Sequence, residues 1–307
     1  MASSSAQIAE SIIGSAARIA KSVSARALMV YLDAVPDIDK LRDAVKSPTE
    51  ILFITRDAKD VTRATEHSLK YLQVPPFNLT RMGQIKMATI LAFSQRLLDG
   101  GDVFVFVTGT VGQPVDSLLV MQVGQEYELF QSVDQPKLTE HVRRVVFQRA
   151  LTFMLELAHE GREGRPVGAL FVIGAYRDVK QYCQQNIINP FRGYTEKERN
   201  ILDDTMKETV KEFCSIDGAF VLKGNGVIMS AGTTLRPTLA GDELPQGLGA
   251  RHAAAAAITA STHSIALTVS ESTGTVRVWR RGRLITEIEK GTRAPVDAMA
   301  PKPLEPT

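Results

Sequence analysis

The chain has 307 residues, 44% of them hydrophobic and 23% charged, a balance that excludes a disordered or membrane-embedded polymer and suggests two soluble domains of about 150 residues each. Its 36 Lys and Arg against 34 Asp and Glu leave a formal net charge of +2, so no nucleic-acid surface is expected and an anionic ligand must be held by a few local groups. Cys183 and Cys214 are isolated and lack metal-ligand spacing, which implies free thiols and fits a reducing cytoplasm.

The first 25 residues carry Ile8, Ile12, Ile13 and Ile19 at helical spacing, interrupted by Glu10 and Arg18. The pattern predicts an amphipathic helix over 1–25 that docks on the protein body or on a partner, and neither a signal peptide nor a membrane span. From residue 27 short apolar runs alternate with helical stretches: "ALMVYL", "DIDKLRDAV", "EILFITR", "DVTRATEHSLKYL" (60–72), "RMGQIKMATILAFSQRLL", "DVFVFVTG" and "SLLVMQV". Strands that are apolar throughout, separated by helices, predict a parallel-sheet α/β domain over 26–132. The polar stretch "VDQPKLTEH" (133–141) marks a boundary.

A second unit over 140–290 begins with a helix, "HVRRVVFQRALTFMLELAHEG", closed at Gly161, and a strand, "VGALFVIGA". Two more helices are predicted over 178–194 and 195–213, the first breaking at Pro190 and the second capped by Thr195. Two strands joined by a Lys-Gly-Asn-Gly turn, a glycine-opened helix and a last hairpin over 264–288 complete a mixed α/β, or α+β, domain. Trp279 and the arginines after it are expected in a solvated hairpin tip, and the proline-rich tail over 291–307 is expected to be disordered.

Three polar features of this second unit lie where strands or helices begin or end. Asp217-Gly218-Ala219 opens a strand and sets a carboxylate beside a residue without a side chain, although Asp-Gly is also an ordinary turn. "GLGARHAAAAAIT" (247–259) puts a glycine turn before a strong helix former, so Arg251 and His252 fall in the first helical turn. Free N–H groups and the helix dipole favour phosphate there, and Arg251 adds a forked donor. "VSESTG" (269–274) bends between two strands and offers the Ser270 hydroxyl and the Glu271 carboxylate, a hard-oxygen ligand for a divalent ion.

The order and spacing of these motifs, after "NPFRGY", resemble the diadenylate cyclase domain, and the likeness runs from about residue 140 to 288. "EILFITRDAKDVTRA" and "DVFVFVTGT" resemble the C-terminal domain of pyruvate kinases, an arrangement similar to archaeal-type soluble cyclases. The resemblance implies an enzyme that condenses two ATP molecules into cyclic di-adenosine monophosphate with Mn²⁺ or Mg²⁺, across the interface of a face-to-face dimer. It implies that Asp217 activates the ribose 3′-hydroxyl and binds metal with Glu271, and that Gly218 and Ala219 make room for the nucleotide. Arg251 and His252, with Ser270 and Gly249, would hold the phosphates, and Leu235 would contact adenine. The family pattern Gly-Thr-Arg-His-Arg has Ala250 and Ala253 in place of Thr and the second Arg here. That departure leaves open an alternative, an ATP-binding regulatory protein without turnover, and raises the question of whether Lys223 or Arg236 replaces the lost cation.

Overall fold

The computed structural model describes residues 2–35, 37–45, 49–109, 114–125, 140–237 and 249–291. The expected boundary segment around 133–139, Gly247, Leu248 and the tail from residue 292 lie outside the described residues. Helix α1 spans Ala2–Ser22. Its Ala9, Ala16 and Ala20 are buried, and Ile12, Ile13 and Ile19 pack against the first unit, while Ile8 stays half exposed. The expected docking on the protein body is what the helix does.

The first sheet comprises β1 (Ala27–Tyr31), β2 (Glu50–Thr55), β3 (Tyr71–Gln73), β4 (Val103–Thr108) and β5 (Ser117–Gln122), in the order β3-β2-β1-β4-β5. Helices α2 (Ile38–Ala44), α3 (Ala58–Glu66) and α4 (Arg81–Ser94) connect its strands. Asp37, Asp57 and Thr80 cap them, each side chain accepting from a first-turn N–H. β1, β2, β3 and β4 run parallel, as expected, but β5 is antiparallel to β4. Only residues 109–116 separate β4 from β5, too few for the crossover of a dozen or more residues that a parallel pair requires. The helix expected over 60–72 also stops early. Ser68, at φ 51, turns the chain out of helical geometry, and Tyr71–Gln73 joins the sheet edge.

The second sheet comprises β6 (Ala169–Ile173), β7 (Cys183–Gln185), β8 (Ala219–Leu222), β9 (Ile228–Leu235), β10 (Ile265–Val269), β11 (Val276–Arg280) and β12 (Arg283–Ile288). Its order is β12-β11-β10-β6-β8-β9-β7, with β6 and β8 its parallel pair. Helix α5 (Arg144–Glu160) covers one face and α8 (Ala250–Ser261) the other; α6 (Tyr176–Val179) and α7 (Met206–Phe213) are short. The two long helices expected over 178–194 and 195–213 do not form. Residues 183–185 pair with β9 instead. In the other segment Thr195 and Glu198 do bond each other, but Asn200 Oδ1 then accepts from Leu202 N and Asp203 Oδ1 from Thr205 N. These side chains compete for the N–H groups that a continuing helix would use.

The expected solvated tip is also corrected. Arg281 and Gly282, both at positive φ, make the turn, and the residues before it belong to β11. Trp279 is 0% exposed and donates to Thr268 Oγ1, and Arg280 is 1% exposed and donates to Glu140. The two sheets share one apolar core through α4 and α5, including Ile85, Ala88, Leu91, Phe147, Leu151 and Met154. α4 lies against β12, Leu79 bridges Lys290, and the Phe77 ring stacks on His159 at 5.0 Å.

Candidate active site

The strand order itself assembles a site at one edge of the second sheet. β6 and β8 are parallel neighbours, so the residues that precede them, Gly168 and Asp217, lie at the same end. β10 runs antiparallel beside β6, with Val269 opposite Ala169, so Ser270 and Glu271 leave the sheet at that end too. β9 returns antiparallel to β8, with Thr233 opposite Ala219, which brings Leu235 and Arg236 to the same edge. Segments far apart in sequence thereby become neighbours.

Helix α8 lies across this edge. Ala255, Ala256 and Ile258 are buried against Leu170, Val172, Ala219, Val221 and Ala266. The alanine run is therefore a close-packing surface, and only small side chains let the helix axis approach the strands this way. Gly249 is its N-cap and provides no side-chain cap. The first-turn N–H groups accordingly have no capping side chain; the His252 N–H returns to the Gly249 carbonyl oxygen at 3.0 Å, while those of Ala250 and Arg251 lie at the positive end of the dipole.

Arg251 projects from this first turn to the strand ends. Its Nη2 donates to Asp217 Oδ1 at 2.8 Å and its Nη1 to Glu271 Oε2 at 3.4 Å. The guanidinium thus joins the two carboxylates that the sequence singled out, one on each side of β6. Asp217 is 97% exposed and Glu271 61% exposed at the side chain, so the pairs are well hydrated and cost little to exchange for another ligand. A Cβ at Gly168 would lie 2.6 Å from Arg251 Nη1. The bare backbone there is what admits the guanidinium.

His252 behaves differently from its neighbour. It is 7% exposed, its Nε2 lies 3.1 Å from Arg277 Nη1, and its ring meets Trp279 edge to face at 6.2 Å. Burial, then the charges of Arg277 and Arg251, push its pKa down to about 4. The ring borders the site as a neutral group and not as a second cation.

The other expected residues divide. Gly218 has φ +119, and a Cβ there would lie 2.6 Å from both Gly232 C and Thr233 N. Its missing side chain is thus required by the close approach of β9. Ala219 is buried in the α8 core and Leu235 packs at that core's border. Ser270 takes part in its own turn, accepting weakly from Thr273 N and facing the Ser272 hydroxyl at 3.2 Å.

A cavity of about 580 Å³ opens at this edge, lined by Asp217, Gly249, Arg251, His252, Ser270 and Glu271, with Pro166, Ala250, Val269 and Ser272. Its size suits a nucleotide. A smaller cavity of about 240 Å³ shares Arg251 and Glu271 and adds Arg162 and Arg165. Asp217 and Glu271 provide hard oxygen donors at the larger cavity, and the described residues contain no cluster of three or more His, Cys, Asp or Glu side chains. Two carboxylates completed by substrate phosphates and water is the way Mg²⁺ is commonly held, so the donor set fits a divalent ion. Sequence reasoning missed Gly168, Pro166 and Arg277. The last had a visible signal, a charge set between valines in a buried strand.

Residues 156–284 match the family described as DisA bacterial checkpoint controller nucleotide-binding, and residues 9–130 match one described as probable sensor domain DacZ_P. The diadenylate cyclase of Methanocaldococcus jannaschii is 32% identical over 254 residues, covering 80% of this chain and 77% of that protein. The diadenylate cyclase of Haloferax volcanii is 33% identical over 267 residues, covering 84% of this chain and 95% of that protein. The chain belongs to the diadenylate cyclase family. Among solved structures, DacA from Staphylococcus aureus is 22% identical at a TM-score of 0.30, covering 46% of this chain and 84% of its own. A pyruvate kinase from Cryptosporidium parvum is 19% identical at a TM-score of 0.31, covering 38% of this chain and 22% of its own. No described helix is long and apolar enough to cross a membrane.

Proposed function

We propose that the chain condenses two ATP molecules into cyclic di-adenosine monophosphate and releases two pyrophosphates. The observation that carries this reading is the convergence of Asp217, Arg251 and Glu271 at the mouth of one nucleotide-sized cavity on an uncapped helix N-terminus. In each half-reaction a ribose 3′-oxygen attacks the α-phosphorus of the other nucleotide, and the bond to the bridging oxygen of the leaving pyrophosphate breaks. Asp217, exposed and acceptor-only, takes the 3′-hydroxyl proton. Arg251 exchanges its carboxylate partners for phosphate oxygens, joined by the first-turn N–H groups of α8 and the Ser270 hydroxyl. Leu235 lies outside that cavity's lining, and its contact with adenine rests on the family resemblance.

Asp217 and Glu271 would hold Mn²⁺ or Mg²⁺, which supplies neutralisation of the charge that develops on the phosphates. The cation absent at Ala253 is replaced, in this reading, by Arg236, which β9 brings to the same edge, or by Arg165, which lines the smaller cavity sharing Arg251 and Glu271. Lys223 is paired with Glu196 beyond the opposite end of β8, and Arg162 is committed to Glu208 and Glu212. One cavity holds one nucleotide, so ring closure needs a second copy facing the first. The first unit, by its likeness to a probable sensor domain, assembles or regulates the pair.

The test is incubation of the purified chain with ATP and Mn²⁺ or Mg²⁺, with products separated by mass. Cyclic di-adenosine monophosphate with pyrophosphate supports the reading. ATP bound but unchanged would replace the enzyme with an ATP-binding regulator.

A further inference from the structure

His252 has a partner that the cyclase motifs do not include. Arg277 is the second residue of β11, directly across from Glu287 on β12. Alternation along the strand sends Arg277 and Trp279 to the face covered by α8, while Val276 and Val278 enter the core on the other face. Arg277 Nε donates to Glu287 Oε2 at 3.1 Å, and its Nη1 lies 3.1 Å from His252 Nε2. The Arg277 and Glu287 side chains are 17% and 26% exposed, so the pair is largely enclosed and carries no net charge.

This geometry fixes the chemistry of the ring. A guanidinium has five N–H donors and no acceptor. The approach of Nη1 to Nε2 is a hydrogen bond only if Nε2 is unprotonated. A neutral imidazole with a bare Nε2 carries its one proton on Nδ1. Trp279 against the ring restricts its rotation, and Glu287 restricts the arginine.

We propose that Arg277, seated by Glu287, is a positioning residue that holds His252 in the Nδ1–H tautomer, so that the ring meets the nucleotide phosphates as a neutral donor of defined direction. The reaction half of this inference rests on the cyclase reading, whereas the tautomer half does not. The arrangement parallels metal sites, where a partner on the second ring nitrogen sets which nitrogen faces the ligand, and where removing such partners costs about 10–100-fold in function.

The experiment pairs ¹⁵N NMR of histidine rings in the full-length protein with steady-state turnover of ATP. His252→Asn assigns the His252 signals among the five histidines. In the wild-type protein the spectrum should show Nδ1 protonated and Nε2 bare at neutral pH. Arg277→Met, which keeps length and removes the donors, should give a mixture of both tautomers and lower kcat by about 10-fold or more, with KM for ATP moving much less. Arg277→Lys keeps a donor and should restore most of both readouts. Should Arg277→Met fail to fold, Glu287→Gln gives the same shift in smaller measure by loosening the arginine alone. A wild-type spectrum with the proton on Nε2, or an unchanged spectrum in Arg277→Met, overturns the inference. A wild-type protein that forms no cyclic dinucleotide overturns the reaction reading, and with it the catalytic half of this inference, while the spectra still decide the tautomer.

Discussion

Asp217 and Gly168 both set where the Arg251 guanidinium lies, one by charge and one by absence. Asp217→Ala removes an exposed carboxylate, so the thermal midpoint should barely move, within about 0.5 kcal/mol of stability, while cyclic product disappears. Near-normal turnover would remove Asp217 from the mechanism. Gly168→Ala puts a methyl where Arg251 Nη1 now lies, 2.6 Å from the ideal Cβ. The end of an arginine is flexible and can yield, so this variant should fold and yet lose about 10–100-fold in kcat, in line with the cost of a 1 Å misplacement. Unchanged kinetics would show that the position of the guanidinium is not limiting. His252 gives a pH signature. Its pKa in the folded chain is depressed from 6.5 to about 4, so the unfolded chain binds the proton first as pH falls. The contribution is complete above about 6.5 and is lost progressively as pH drops toward 4. Melting followed across that window should show a steeper decline for the wild-type protein than for His252→Asn, and parallel curves would contradict the depressed value. The residue types at the site were readable in the sequence, because acidic, basic and hydroxyl groups at strand and helix ends are conspicuous. That His252 turns to Arg277 was not readable, since the two are brought together by the packing of a helix on a sheet.

At the scale of elements, α8 is both a scaffold and a wall of the candidate site. Ala256 is 3% exposed and faces the strands, so Ala256→Leu overpacks the interface and should cost about 1–3 kcal/mol in denaturant unfolding. The same variant should lose activity beyond its loss of stability, because lifting α8 moves Arg251 away from Asp217 and Glu271. Retained activity in the folded fraction would show that the helix seats independently of its alanines. The strongly patterned elements, β1, β2, β4, α4, α5, β6 and α8, were legible from apolar periodicity and capping. The region from 176 to 205 was not, because its helical pattern competes with Asn200 and Asp203, whose side chains take local N–H groups, and with the free edge of β9, which recruits Cys183–Gln185. Such competition is decided by what lies nearby in space.

At the scale of the molecule, the two sheets are joined by a common core and not merely by a linker. α4 of the first unit packs on α5 and β12 of the second, Gly83 leaves room for the Glu289 carbonyl, and His159 Nε2 lies 2.7 Å from the Asn78 carbonyl oxygen. A fragment over 140–291 would uncover this apolar seam. It should be less soluble than the full chain and melt at a lower temperature. A fragment as soluble and as stable as the whole would show that the seam contributes little. The sequence by itself determined the alternation of elements in the first unit, the capped helices, and which polar side chains stand at element ends, because these follow from local periodicity and from hydrogen bonding between near neighbours. Only the tertiary structure decided the burial of Trp279 and Arg280, the meeting of Gly168, Asp217, Arg251 and Glu271, and the depressed pKa of His252. Each of these depends on strand order and on helix packing across a sheet, and residues such as Arg251 and Glu271 or Asp217 and Arg251, 20 and 34 positions apart, reach one another only after the chain has folded.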